Sequence, residues 1–229
     1  MKVSAHQPHY FPWLGYLHKL FNCNAFVVLD ICDYRKTYYQ NRVQIKTNNG
    51  AEYITVPVGK HRKPICDMEI AKNLDWVKKQ RKTISYAYKA APFYDDYWNK
   101  IDTEIFAKNG GNLRDLDFRT LLLAKELLNI DIPIYLASNL RARGEKDDWI
   151  VNMCLELGAD TYLFGKSGRD YYDPEKFELN NIKVEFQDFH HPVYEQQYNQ
   201  HGFHGFIEGL SYLDALFNIG AESLRGELL

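Results

Sequence analysis

The chain has 229 residues, 45% of them hydrophobic and 25% charged, with a formal net charge of −2. These are the values of an ordinary globular protein and exclude collagen-like, low-complexity and intrinsically disordered readings. No run approaches the ~18 apolar residues of a membrane span. The amino terminus meets Pro8 without an apolar stretch before a small-residue cleavage site, so a cytoplasmic location is expected.

The charge is uneven. Residues 1–115 carry +7 and residues 116–229 carry −9. The first half suits a phosphate-bearing ligand, while the acidic whole disfavours generic nucleic-acid binding. Four separated cysteines, Cys23, Cys32, Cys66 and Cys154, read as reduced thiols rather than a disulfide framework. Seventeen Tyr, 13 Phe and 4 Trp supply rings for a core or for a sugar- or base-stacking pocket.

In chain order, Lys2–Ala5 reads as a strand and His6–Pro12 as a loop fixed by two prolines. Apolar spacing predicts a helix over Trp13–Phe21, and the unbroken apolar run Ala25–Asp30 predicts a strand buried on both faces. Arg42–Lys46 and Glu52–Val58 flank Asn48-Asn49-Gly50 as a hairpin. Helices are expected over Asp75–Lys89, Tyr94–Lys108 and Leu113–Leu128, separated by Ala91-Pro92 and Asn109-Gly110-Gly111. Strand and helix then alternate: Ile134–Ala137, a helix Lys146–Leu157 closed by Gly158, then strands Thr161–Phe164 and Lys183–Phe186. The last helix opens at Ser211 with a capping box that uses Asp214, and Gly220 is its expected stop. The fold class is therefore α/β: a mostly parallel, Rossmann-like sheet with a β-hairpin and a helical insertion at about 73–130, read as one domain over 1–229.

Three segments have the composition of a binding site. His6-Gln7-Pro8-His9 follows a strand and precedes a helix, at the sheet edge where ligands collect. Free N–H groups at that helix end favour an anion, and histidines there donate hydrogen bonds or move protons. Gln40-Asn41-Arg42 offers planar, multi-donor recognition of a carboxylate or phosphate. Gly165-Lys166-Ser167-Gly168-Arg169 follows a strand and reads as an anion cradle. It is not a Walker A loop, which needs Gly where Asp160 stands. The late histidines His190, His191, His201 and His204 lack thiol or carboxylate partners at ligand spacing, so no metal site is expected. Cys32 and Cys154 have no identifiable base, and the buried small-hydrophobe reading wins for both. Lys78, Arg81, Lys82 and Lys89 read as a solvated helix face.

His6-Gln7-Pro8-His9-Tyr10-Phe11-Pro12-Trp13-Leu14-Gly15-Tyr16 resembles the opening signature of the WbqC-like family. The likeness continues through Gln40-Asn41-Arg42, Thr55-Val56-Pro57-Val58, Gly165 with Tyr171-Tyr172, and Leu210–Gly220. Within the motif, the resemblance favours His6 over His9 as the functional histidine. It implies a role near bacterial O-antigen and other surface-polysaccharide biosynthesis, as transfer of an acyl or aminoacyl group to an amino sugar or nucleotide-sugar. A likeness to HIGH-type nucleotide-binding proteins extends to the strand, histidine loop, helix and strand order only, because H-x-G-H is absent.

The leading expectation is an enzyme. His6 would act as anion donor or general acid/base. Gln7, Gln40, Asn41 and Arg42 would orient a carboxylate or phosphate, and Lys166, Ser167 and Arg169 would bind a second phosphate. Tyr10, Trp13 and Tyr172 would wall the sugar or base. Activation would come from ATP, by adenylating an acid, or from a ready-made acyl donor, and the sequence leaves this open together with the oligomeric state. The other readings are a non-catalytic nucleotide-sugar or glycan binding protein and a metal-dependent hydrolase built on the late histidines. The loops His6–Trp13 and Gly165–Tyr172 are expected to line one cleft, because both follow strands of a parallel sheet.

Overall fold

The computed structural model describes residues 1–59, 63–108, 111–198 and 205–229. The expected stop at Asn109-Gly110 and the histidines His201 and His204 lie outside the described residues. The elements are β1 Lys2–His6, α1 Leu14–Phe21, β2 Ala25–Val28, β3 Arg42–Thr47, β4 Gly50–Thr55, α2 Asp75–Tyr88 and α3 Tyr94–Ile101. They continue as α4 Leu113–Leu127, β5 Ile134–Leu136, α5 Asp147–Leu157, β6 Thr161–Phe164, α6 Pro174–Glu178, β7 Lys183–Phe186 and α7 Tyr212–Leu228.

Five strands form a sheet in the order β5-β2-β1-β6-β7, and every pairing is parallel. The order moves outward from β1 first to one side (β2, β5) and then to the other (β6, β7). Strand order therefore reverses between β1 and β6, the topological switch point of a doubly wound sheet.

Each central strand is buried on both faces because its alternate side chains serve two cores. On one face, Phe26 and Val28 of β2 pack with α1, the hairpin, helices α2 to α4 and α7. On the other, Val3, Ala5, Ala25 and Val27 pack with Trp149, Val151 and Met153 of α5 and Phe177 of α6. The unbroken apolar run from Ala25 to Val28 is the sequence image of this two-faced burial.

Several boundaries differ from expectation for local reasons. Trp13 is the residue before α1 rather than its first turn, with extended backbone at φ −77, ψ 167. In the hairpin, Gly50 pairs with Thr47. Gly50 takes φ 100 and neither Asn48 nor Asn49 has positive φ, so the positive-φ requirement of the turn falls on glycine. β4 ends at Thr55 instead of Val58, since Pro57 has no N–H to give a ladder and Val56 N–H bonds the Asn41 carbonyl at 2.7 Å. The helix expected over Tyr94–Lys108 passes into a π turn at Asp102–Phe106.

At α7 the Ser211 side chain accepts from Leu213 N–H, as an N-cap should. The reciprocal half of the capping box is absent. Asp214 instead accepts hydrogen bonds from the hydroxyls of Tyr88 and Tyr194, both at 2.9 Å, and Ser211 N–H donates to the Gln44 carbonyl. Gly220 (φ 76, ψ 166) breaks the helix but does not end it, and the chain turns helically again to Leu228.

Candidate functional site

A cleft of about 630 Å³ opens at the switch point. It is built from the carboxyl ends of three adjacent strands: His6 ends β1, Gly165–Asp170 follows β6, and Gln187 and Phe189 follow β7. Trp13 before α1, and Gly15, Tyr16 and Lys19 of α1, complete it. The two loops expected to share a cleft do share one.

Lys19 forms its floor. The helical spacing of Gly15, Tyr16 and Lys19 puts all three on one face of α1. Lys19 is 5% exposed, and among the described residues its Nζ reaches only the Ala5 carbonyl, at 3.5 Å. A Cβ on Gly165 would lie 3.4 Å from this Nζ, so the loop after β6 passes directly over it. Burial lowers the ammonium to about 8, with the Cys23 thiol opposing. A buried ammonium held by one long hydrogen bond is incompletely compensated, and an anion in the cleft is the natural complement.

Lys166 and Arg169 stand exposed at the rim, and neither forms an ion pair with a described residue; Arg169 lies 4.9 Å over the Phe186 ring. Asp170 is the single acidic lining residue against three cations. Trp13 and Phe189 meet edge to face at 5.5 Å as an aromatic wall. The Trp13 indole lies so close on Gly15 that a Cβ there would fall 2.3 Å from it. Gln187 is anchored by donating to the Gly15 carbonyl at 2.7 Å.

His6 lines the cleft in one defined tautomer. Its Nδ1 faces the Gln7 carbonyl at 3.0 Å and must donate to it, which leaves Nε2 as an acceptor. Burial first, then the charge of Lys19, lower its pKa to about 3 against the help of that carbonyl. The ring is thus neutral at pH 7 and offers Nε2 as a hydrogen-bond acceptor. The expected role of donor to an anion requires the imidazolium, which burial and the Lys19 charge disfavour.

Behind His6 lies a buried polar group. His9 is 3% exposed, and its ring meets His6 at 4.7 Å and Tyr16 at 5.1 Å. Both its nitrogens, the Tyr16 hydroxyl and both Asp117 carboxylate oxygens are buried without a partner among the described residues. Burial holds the Asp117 carboxyl well above the usual carboxylate range, and its charge is felt by Tyr10 and Tyr16. Native proteins leave few such groups, and His9 and Tyr16 lie against the cleft residue His6. The available signals were small: a lysine on the buried face of α1, and an aspartate at a core position of α4.

Other expected site residues fall elsewhere. Tyr10 is fully buried and donates to Gln80 at 2.6 Å, so it belongs to the core and walls nothing. Gln7 and Gln40 bond each other at 2.7 Å, and Gln40 also accepts from Arg35 N–H, which makes the pair a tie between loops. Asn41 and Arg42 line a second pocket, not the cleft. Tyr172 packs with Phe164 and Phe186 in the second core. Among the described residues no group of three His, Cys, Asp or Glu side chains is arranged to hold a metal. Burial raises the thiols of Cys23 and Cys154 to about 12. No helix of the described residues is long and apolar enough to cross a membrane.

Comparison with known proteins adds the family. The profile of the WbqC-like protein family matches residues 7–226. The chain belongs to the WbqC-like family. Among curated proteins it is similar to the uncharacterized protein Rv1507c of Mycobacterium tuberculosis (strain ATCC 25618 / H37Rv), at 29% identity over 226 residues. That alignment covers 97% of this chain and 95% of the relative. No solved structure matches. The matched span of the WbqC-like family takes in both loops of the cleft beyond His6, as well as α1 with Lys19.

Proposed function

We propose that the switch-point cleft binds a nucleotide-sugar through its diphosphate, and that the protein transfers an acyl or aminoacyl group to an amino sugar in surface-polysaccharide biosynthesis, in the cytoplasm. The observation that carries the reading is Lys19, a buried and incompletely compensated cation beneath the Gly165–Asp170 loop, at the edge where doubly wound sheets bind phosphates. Lys166 and Arg169 add charge at the rim, Ser167 adds a hydroxyl, and the start of α1 adds free N–H groups. Trp13 and Phe189 give the sugar or base an apolar wall.

In this reading the sugar amine attacks the acyl carbonyl. The neutral His6 accepts the amine proton at Nε2, and the activating group leaves with the bonding electron pair. The bound phosphates counter the charge of Lys19 and so raise the His6 basicity during the reaction. Acyl activation comes either from ATP or from a pre-activated donor.

The test is thermal unfolding with UDP-N-acetylglucosamine, UDP and N-acetylglucosamine. A ligand at 100 times its Kd stabilises by about 2.7 kcal/mol. The two diphosphates should raise Tm and the free sugar should not. Equal shifts from all three, or none from any, would remove the diphosphate reading.

A further inference from the structure

A second pocket, of about 950 Å³, lies between the hairpin and the segment after β2, and it shares no lining residue with the cleft. Arg35, Lys36 and Arg42 give it three cations, and no acidic residue lines it among those described. Tyr34, Thr55 at the end of β4 and the following residues Val56–Gly59 line the rest of it.

Two buried polar atoms of its lining residues have no hydrogen-bond partner among the described residues. Asn41 is 5% exposed. Its Nδ2 donates to the Val56 carbonyl at 2.8 Å, which fixes the amide orientation, and its Oδ1 is buried with no partner among the described residues. Arg42 is held in place by donating from Nη2 to the Thr37 carbonyl at 2.7 Å and by lying 4.3 Å over the Tyr53 ring. Its Nε is buried and unpartnered. The amide oxygen requires a hydroxyl or N–H donor, and the Nε requires an acceptor. Leaving either unmade costs about 1–3 kcal/mol.

We infer that this pocket is a second binding site, for a phosphate ester of a hydroxylated ring. The phosphate engages Arg42 with Arg35 and Lys36 around it. A ring hydroxyl donates to Asn41 Oδ1, and the ring rests on Val56–Val58 and Tyr34. A phosphate dianion matches three cations better than a monocarboxylate does. A run of ring contacts connects the two sites: His6 to His9 at 4.7 Å, His9 to Tyr38 at 6.4 Å, and Arg35 over Tyr38 at 5.9 Å. The His6–His9 pair therefore stands between the pockets, an arrangement suited to two substrates. The inference stands on this pocket alone and survives if the cleft reading fails.

The experiment is NMR of the ¹⁵N-labelled full chain titrated with glucose 1-phosphate, ADP, inorganic phosphate and glucose. One or both esters should move the amides of Asn41, Val56, Val58 and Gly59 at millimolar concentration or below, and either response identifies the source. Lys36→Glu reverses an exposed charge and should weaken that response about tenfold, or ~1.4 kcal/mol, with Tm unchanged. Arg42→Gln should abolish it. Lys166→Ala should leave it intact while removing any response of Gly165–Asp170, which separates failure here from failure of the cleft. The proposal is overturned if neither ester moves these amides, if glucose or inorganic phosphate alone does so as well as the esters, or if Lys36→Glu changes nothing.

Discussion

His6→Asn tests the electrostatics of the cleft without any ligand. Asn keeps a donor for the Gln7 carbonyl but cannot titrate. In the native protein His6 binds a proton only near pH 3, whereas the unfolded chain binds it near 6.5. Between those values the unfolded state holds one more proton, so His6 makes stability rise with pH, and that contribution is lost as pH falls from 6.5 toward 3. The slope is about 1.4 kcal/mol per pH unit, so from pH 6.5 to 4.5 His6 removes about 2–3 kcal/mol. Other groups, among them His9 and the raised carboxyls of Asp117 and Asp214, titrate in both proteins. Their effects largely cancel in the difference between wild type and variant. The assay is urea unfolding of both proteins at pH 4.5, 5.5 and 6.5. The stability of wild type relative to His6→Asn should fall by about 2–3 kcal/mol across that range. A constant difference would mean that His6 titrates as in water, and the neutral acceptor assigned to the cleft would be wrong.

Other expectations follow from single side chains. Lys19→Met removes a poorly compensated buried charge and should raise the Tm of the free protein while abolishing its shift with UDP; a lower Tm would show that the ammonium is well satisfied. Asp117→Asn removes a buried carboxyl whose pKa is raised. Wild-type stability drops as pH climbs above 3.8 toward the native value, so the variant's advantage should widen with pH in denaturant titrations, and parallel curves would refute it. Lys166→Ala should weaken UDP about tenfold by calorimetry, consistent with one charge-assisted hydrogen bond of about 1.5–3 kcal/mol, and unchanged affinity would remove Lys166 from the site. Gly15→Ala must displace the Trp13 indole; its tryptophan fluorescence should shift and UDP-N-acetylglucosamine should bind more weakly, and no change in either would contradict the wall.

The sheet was legible because its signal is local. Runs such as Ala25–Val28 and Thr161–Phe164 carry two-faced burial in their own composition, and the helices between them force parallel pairing. The shared cleft followed from topology, since parallel strands deliver their loops to one edge. What the sequence hid was distance across the chain. Gln40, Asn41 and Arg42 are adjacent in sequence, yet Gln40 turns inward to Gln7 while its two neighbours face another pocket. Tyr10 looked like a ligand wall because aromatics serve cores and pockets alike, and only its bond to Gln80, seventy residues away, decides the matter. Asp214 matched a local capping pattern, but tertiary hydroxyls from Tyr88 and Tyr194 outbid the cap. Lys19 and Asp117 are polar residues on buried helix faces, and Lys19 gains meaning only when the loop after β6 is seen to pass over it.

The most direct test of the account is a crystal structure of the full chain with UDP-N-acetylglucosamine bound. The account predicts the diphosphate at the start of α1, within hydrogen-bond reach of Lys19, Lys166 and Arg169, with a ring of the ligand against Trp13 and Phe189. Density for the nucleotide at the opposite edge of the sheet, or an empty cleft at a saturating concentration, would contradict it.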